Sequence, residues 1–143
     1  MPVTHLEITE RDLYEFGQPF GAVGPYERIE AIAHYAVDPL HAANQGMVDL
    51  ALAERDGDGL VHFQGDVTLL QPVDAVTANR ALLMQVPNRG KRNITRFNMT
   101  AMSTEDTVEI APGDGFLFEQ GWTVAWAGWQ WDVPRTPEHL RLG

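Results

Sequence analysis

Ile29, Ala31, Ala33, Tyr35 and Val37 alternate with Arg28, Glu30, Ile32, His34 and Ala36. Successive side chains of a strand point to opposite faces, so a period of two over this length predicts a strand with one buried face. Asp38-Pro39 ends it, because Pro cannot donate to a ladder. A second alternation sets Val48, Leu50 and Leu52 against Asp49, Ala51 and Ala53. A third sets Val61, Phe63, Val67 and Leu69 against His62, Gln64, Asp66 and Thr68. Asp56-Gly57-Asp58-Gly59 lies between these two runs, and a hairpin is expected there. Polar residues at every second position suit an antiparallel sheet with one wet face.

The flanking regions read differently. Residues 1–25 form an N-terminal segment punctuated by Gly17, Pro19, Gly21, Gly24 and Pro25, and a loop is expected. Its glycines lack the spacing of a dinucleotide fingerprint. Ala81-Leu82-Leu83-Met84-Gln85-Val86 is almost continuously apolar, the mark of a strand covered on both faces. Asp114 can cap a short helix over Phe116–Gln120, with Gly121 as its left-handed stop. Trp122–Ala127 then reads as another buried strand. Strand, helix, strand implies a right-handed parallel crossover. One short helix cannot cover both faces of such a unit, so residues 26–143 are expected to form one α/β domain with an unfinished sheet: antiparallel hairpins, then a parallel strand–helix–strand unit.

Composition narrows the chemistry. A chain of 143 residues suits one domain. It has no cysteine, which excludes disulfides, cysteine–zinc sites and thiol catalysis. Its net charge of −10 disfavours nucleic acid and anionic membrane surfaces as partners. The single serine, Ser103, has no flanking glycines at the spacing of a nucleophile elbow. The N-terminus lacks a basic patch followed by an apolar stretch, so a cytoplasmic location is expected.

Several residues are candidates for function. Asn88, Arg89 and Gly90 follow the carboxyl end of the apolar strand, where ligands bind in open α/β sheets, and backbone N–H groups in such a turn can face a developing oxyanion. Arg80, Arg89, Lys91, Arg92 and Arg96 cluster in an acidic chain. They either grip an anionic group or pair with acids such as Glu105, Asp106 and Glu109. Trp122 and Trp126 are expected in the core. Trp129 and Trp131 either line a substrate pocket or pack under a loop. The Asp56–Gly59 repeat lacks the remaining ligands of a calcium loop and reads as a turn. His5, His34, His41, His62 and His139 show no metal-binding spacing, so neither metal nor cofactor is expected. Asn93-Ile94-Thr95 and Asn98-Met99-Thr100 match the glycosylation sequon, which means little without a secretory signal.

Gly21-Ala22-Val23-Gly24-Pro25-Tyr26-Glu27-Arg28, Leu82-Leu83-Met84-Gln85-Val86-Pro87-Asn88-Arg89-Gly90 and Gly121-Trp122-Thr123-Val124-Ala125-Trp126-Ala127-Gly128-Trp129-Gln130 together resemble the N-terminal part of the alpha/beta hydrolase domain proteins, a mostly bacterial family of hydrolases. The likeness covers about residues 17–135. It implies that Leu82–Val86 is the third strand of that fold, Pro87–Gly90 its oxyanion loop, Phe116–Gln120 its first helix and Trp122–Ala127 its fourth strand. It also implies hydrolysis of an ester-like bond in a small-molecule substrate by the whole family protein. The serine, acid and histidine of that fold come later than this sequence reaches, so this chain alone is expected to be inactive. A missing C-terminal half would be its partner. The alternative is a stand-alone β-rich binding module using Trp129–Trp131 and the arginines.

Overall fold

The computed structural model describes residues 3–99, 110–136 and 139–143. Its architecture is mostly β. Six strands make one mixed, largely antiparallel sheet: β1 (Val3–Leu13), β2 (Pro19–Phe20), β3 (Gly24–Val37), β4 (Val61–Pro72), β5 (Leu82–Gln85) and β6 (Thr123–Ala127). The order across the sheet is β1-β3-β4-β6-β5, with β2 paired to β3 off this path. Among the described residues there is one α-helix, α1 (Phe116–Glu119), of four residues.

This corrects the expected α/β class with its hydrolase-type sheet. Strand, helix, strand in sequence does produce one parallel pair, β5 with β6. Every other pairing is antiparallel, and a four-residue helix cannot form a layer. The N-terminal segment is not a loop throughout: Val3–Leu13 forms the antiparallel edge strand β1. No hairpin forms around Asp56–Gly59. Residues 48–52 hold a 3-10 turn at Leu50–Leu52, and β4 pairs with β3 instead, in register from Tyr26↔Pro72 to Val37↔Val61. The Asp56 carboxylate accepts from the N–H groups of Asp58 and Leu60, which closes the turn locally.

The core lies on one face of the sheet. Tyr26, Leu70, Val124 and Trp126 project from β3, β4 and β6 and pack with Phe118 and Leu117 of α1, with Tyr14, Phe20, Ile94, Ile110 and Leu140 closing around them. The Phe20, Tyr26 and Phe118 rings meet in tilted or edge-on geometry, with centroids 4.8–5.5 Å apart, the arrangement aromatic quadrupoles favour. The Tyr26 hydroxyl donates across this core to the carbonyls of Phe118 and Trp122, and burial pushes its pKa upward. Gly121 (φ 73°) ends α1 in the left-handed conformation expected of it. Its N-terminal cap is Gly115, while the Asp114 carboxylate accepts from Phe116 and Met99. Among the described residues, no helix is long and apolar enough to cross a membrane.

The opposite face is less covered at its margins. Register places Leu6, Ile8, Ala31, Val67, Ala125, Met84 and Leu82 on it. Ala31 and Ala125 are buried, but Leu6, Ile8, Leu82 and Met84 are exposed.

Candidate functional site: the edge of β5 and the ledge beyond it

Parallel pairing sets the carboxyl ends of β5 and β6 side by side, so the loops leaving them become neighbours. The turn 87–91 therefore meets the segment 128–133. Trp129 Nε1 donates to the Pro87 carbonyl at 2.6 Å, and Arg89 N–H donates to Gln130 Oε1 at 2.8 Å. Arg89 then grips Asp132 twice, Nη1 to Oδ2 at 2.7 Å and Nη2 to the carbonyl at 3.1 Å. That hydrogen bond holds the Asp132 carboxyl below its usual range. Arg89 (φ 53°) and Gly90 (φ 77°) both adopt left-handed backbone. A side chain at Gly90 would strike the Leu140 carbonyl, so only glycine lets the turn dock on the C-terminal segment.

The two groups of residues singled out in the sequence thus come together. Asn88, Arg89 and Gly90 form the turn, bridged from Asn88 to Lys91; Trp129 and Trp131 form the ledge beside it. Trp131 is 75% exposed and Trp129 55%. Trp126, in β6, is fully buried, and Trp122, just before that strand, packs partly against the core. Two hollows, of about 340 and 290 Å³, lie elsewhere, and neither is lined by Asn88–Gly90, Trp129 or Trp131. The ledge is a surface and not a cleft.

The apolar run predicts a strand covered on both faces, but β5 is covered on one side only, with Leu82 58% exposed and Met84 51%, and Val86 just past its end 66%. Its hydrogen-bonding pattern is also informative. Thr123 N–H donates to the Ala81 carbonyl. In a parallel ladder alternate residues turn their backbone groups toward the same neighbour. The Ala81 carbonyl, Leu83 and Gln85 therefore face β6, and Leu82 and Met84 direct N–H and C=O away from the sheet.

The arginine cluster divides. Arg92 runs beneath the sheet with a side chain only 6% exposed. There Nε donates to Thr68 Oγ1 at 2.8 Å and Nη2 lies 3.4 Å from Glu30 Oε2. Thr68 in turn donates to Glu30 at 2.6 Å, and Arg28 completes the group through Glu30 Oε1. Desolvation lowers the Arg92 pKa and the Glu30 charge opposes that shift. Nothing in the sequence pairs these residues; only the β3–β4 register brings Glu30 opposite Thr68. Arg89 stays on the ledge. Glu105, Asp106 and Glu109, the acids considered as partners, lie outside the described residues, as does Ser103. His34 meets Glu7 and His62 meets Asp56, and no group of three metal-ligating side chains occurs among the described residues.

No family model, curated protein or solved structure matches this chain.

Proposed function

We propose that the chain is a β-rich interaction module that binds a protein partner along β5 and the Trp129–Trp131 ledge. The observation that carries this reading is a set of exposed apolar side chains around one sheet edge: Leu82 and Met84 on one face of β5, Val86 just past its end, and Trp129 and Trp131 on the segment that the Trp129–Pro87 and Arg89–Asp132 hydrogen bonds hold beside the turn 87–91. Trp, Met and Arg are the residue types enriched at protein interfaces. A contiguous apolar patch rimmed by polar groups marks an interaction site, and the Arg89–Asp132 pair supplies such a rim. The test is selection from a displayed library of random peptides. Sequences that bind the native chain should lose at least about tenfold in affinity, roughly 1.4 kcal/mol, on Trp131→Ala. Absence of enrichment, or equal binding to the variant, contradicts the reading.

Ester hydrolysis is the second reading. It is favoured by the position of the Asn88–Gly90 turn at the carboxyl ends of two parallel strands. Against it, the Arg89 N–H already donates to Gln130 Oε1, and no serine or cysteine nucleophile stands among the described residues.

A further inference from the structure

We infer that the hollow between β4 and the C-terminal segment binds a small molecule through an oxyanion group, a phosphate or a carboxylate. The inference is independent of the β5 surface, none of whose residues lines this hollow. Backbone pairing builds the site. Residues 141–143 lie against β4: Asp66 N–H donates to the Arg141 carbonyl at 2.9 Å, and Gln64 and Gly143 exchange hydrogen bonds at 2.9 and 2.7 Å. At the other rim the Thr136 carbonyl accepts from the His139 N–H at 3.2 Å, and the Thr136 hydroxyl lies 2.7 Å from His139 Nδ1. These contacts tie the Arg135 side of the hollow to its Arg141 side.

The lining selects the occupant. Its side chains are those of Arg135, Thr136, His139, Arg141, Gln64 and Asp66, all polar, so an apolar ligand gains little there. Arg11, Arg28, Arg89 and Arg92 each pair with a carboxylate. Arg135 and Arg141 have no such partner among the described residues, although the chain holds 20 acids to 10 bases. Arg141 uses only Nε, on the Leu142 carbonyl at 3.3 Å. The negative groups beside them are held by backbone N–H groups instead: Asp66 Oδ2 by Arg141 at 2.9 Å, and the Gly143 carboxylate by Gln64.

Two permanent cations therefore border the hollow with donors to spare. A guanidinium fork matches the paired oxygens of a carboxylate or phosphate. The Thr136–His139 pair adds a donor in either tautomer. If the hydroxyl donates to Nδ1, Nε2 carries the ring proton; if Nδ1 donates, the hydroxyl proton is free. The volume of about 340 Å³ falls at the small end of ligand sites, ~300–1,000 Å³.

Amide NMR of the isotope-labelled native chain, titrated with phenyl phosphate and with benzoate against sodium chloride at equal ionic strength, tests the inference. The expected result is a set of shifts at Gln64, Asp66, Thr136, His139 and Arg141 that saturates at millimolar concentrations. Preference for phenyl phosphate assigns the group as a phosphate, and preference for benzoate as a carboxylate. Arg135→Gln removes a side chain with no ion-pair partner among the described residues. It should weaken binding at least about tenfold with an unchanged thermal melt. Arg55→Gln, an exposed arginine outside the hollow, should leave binding intact. Shifts that sodium chloride reproduces, shifts that centre on other residues, or binding indifferent to Arg135→Gln would each overturn the inference.

Discussion

Gln85 and Trp126 stand opposite each other in the β5–β6 ladder, and each leaves a buried polar atom, Gln85 Oε1 and Trp126 Nε1, without a hydrogen-bond partner among the described residues. An unmet buried acceptor costs about 1–3 kcal/mol. Gln85→Met keeps the length of the side chain and removes the acceptor. The variant should match the native chain or gain up to about 2 kcal/mol in urea denaturation. A loss beyond about 1 kcal/mol would mean that Oε1 has a bridging water in solution.

The Arg92–Glu30–Thr68 group should be costly to break. Removing one partner of a buried ion pair strands the other, at about 3–5 kcal/mol. Arg28 still holds Glu30 at 2.6 Å, so Arg92→Met should cost about 3 kcal/mol, the lower end of that range. A cost below about 1 kcal/mol, the scale of an exposed pair, would show that Arg92 does not run beneath the sheet.

Much of the frame was legible and the rest was not, for physical reasons. β3 announces itself through the alternation of Ile29, Ala31 and Ala33, all buried; in β4 the alternation marks a strand but not its inner face, since Thr68 and Leu70 are fully buried while Val67 and Leu69 are only partly so. α1 is bounded by Gly115 and Gly121, and Trp126 sits in an apolar stretch that ends in the core. β1 was hidden: as an edge strand it is exposed along its length, so charged residues dilute its alternation and two irregularities interrupt the period. Val48 and Leu52 alternate convincingly but are 87 and 82% exposed, with no strand beside them. The apolar run of β5 could not say whether one face or two would be covered. Asn88–Gly90 and Trp129–Trp131 were visible separately. Their meeting depends on β5 and β6 being parallel neighbours, a long-range fact.

Asp132 supplies a pH-dependent contact. Its hydrogen bond with Arg89 lowers its pKa. A depressed carboxyl contributes stability above its unfolded value and loses it as pH falls through the folded one. Carboxyl carbon NMR should give an Asp132 midpoint below the ordinary 3.8, and Arg89→Gln should move it upward. An unchanged midpoint would show that the pair does not persist in solution. The pair is half exposed, so overall stability should shift little.

Gly128 sets the position of the C-terminal segment. A Cβ there would collide with the backbone of Arg141, which lies against β4 through Asp66 N–H to the Arg141 carbonyl and the Gly65↔Leu142 bridge. Gly128→Ala should displace residues 141–143, read as lost amide protection at Leu142 and Gly143, with β3 and β4 unaffected. Retained protection would place that segment elsewhere.

The purified chain should hydrolyse p-nitrophenyl acetate no faster than a heat-denatured control. Activity abolished by Ser103→Ala would revive the hydrolytic reading and assign it a nucleophile within this chain.

Amide hydrogen exchange along β5 in dilute solution tests the exposed edge most directly. Leu82 and Met84 should exchange at nearly the rate of an unstructured peptide, while Leu83 and Gln85, held by β6, are protected. Equal protection at all four positions in a monomer would mean that something already covers this edge, and the interaction surface would have to be sought elsewhere.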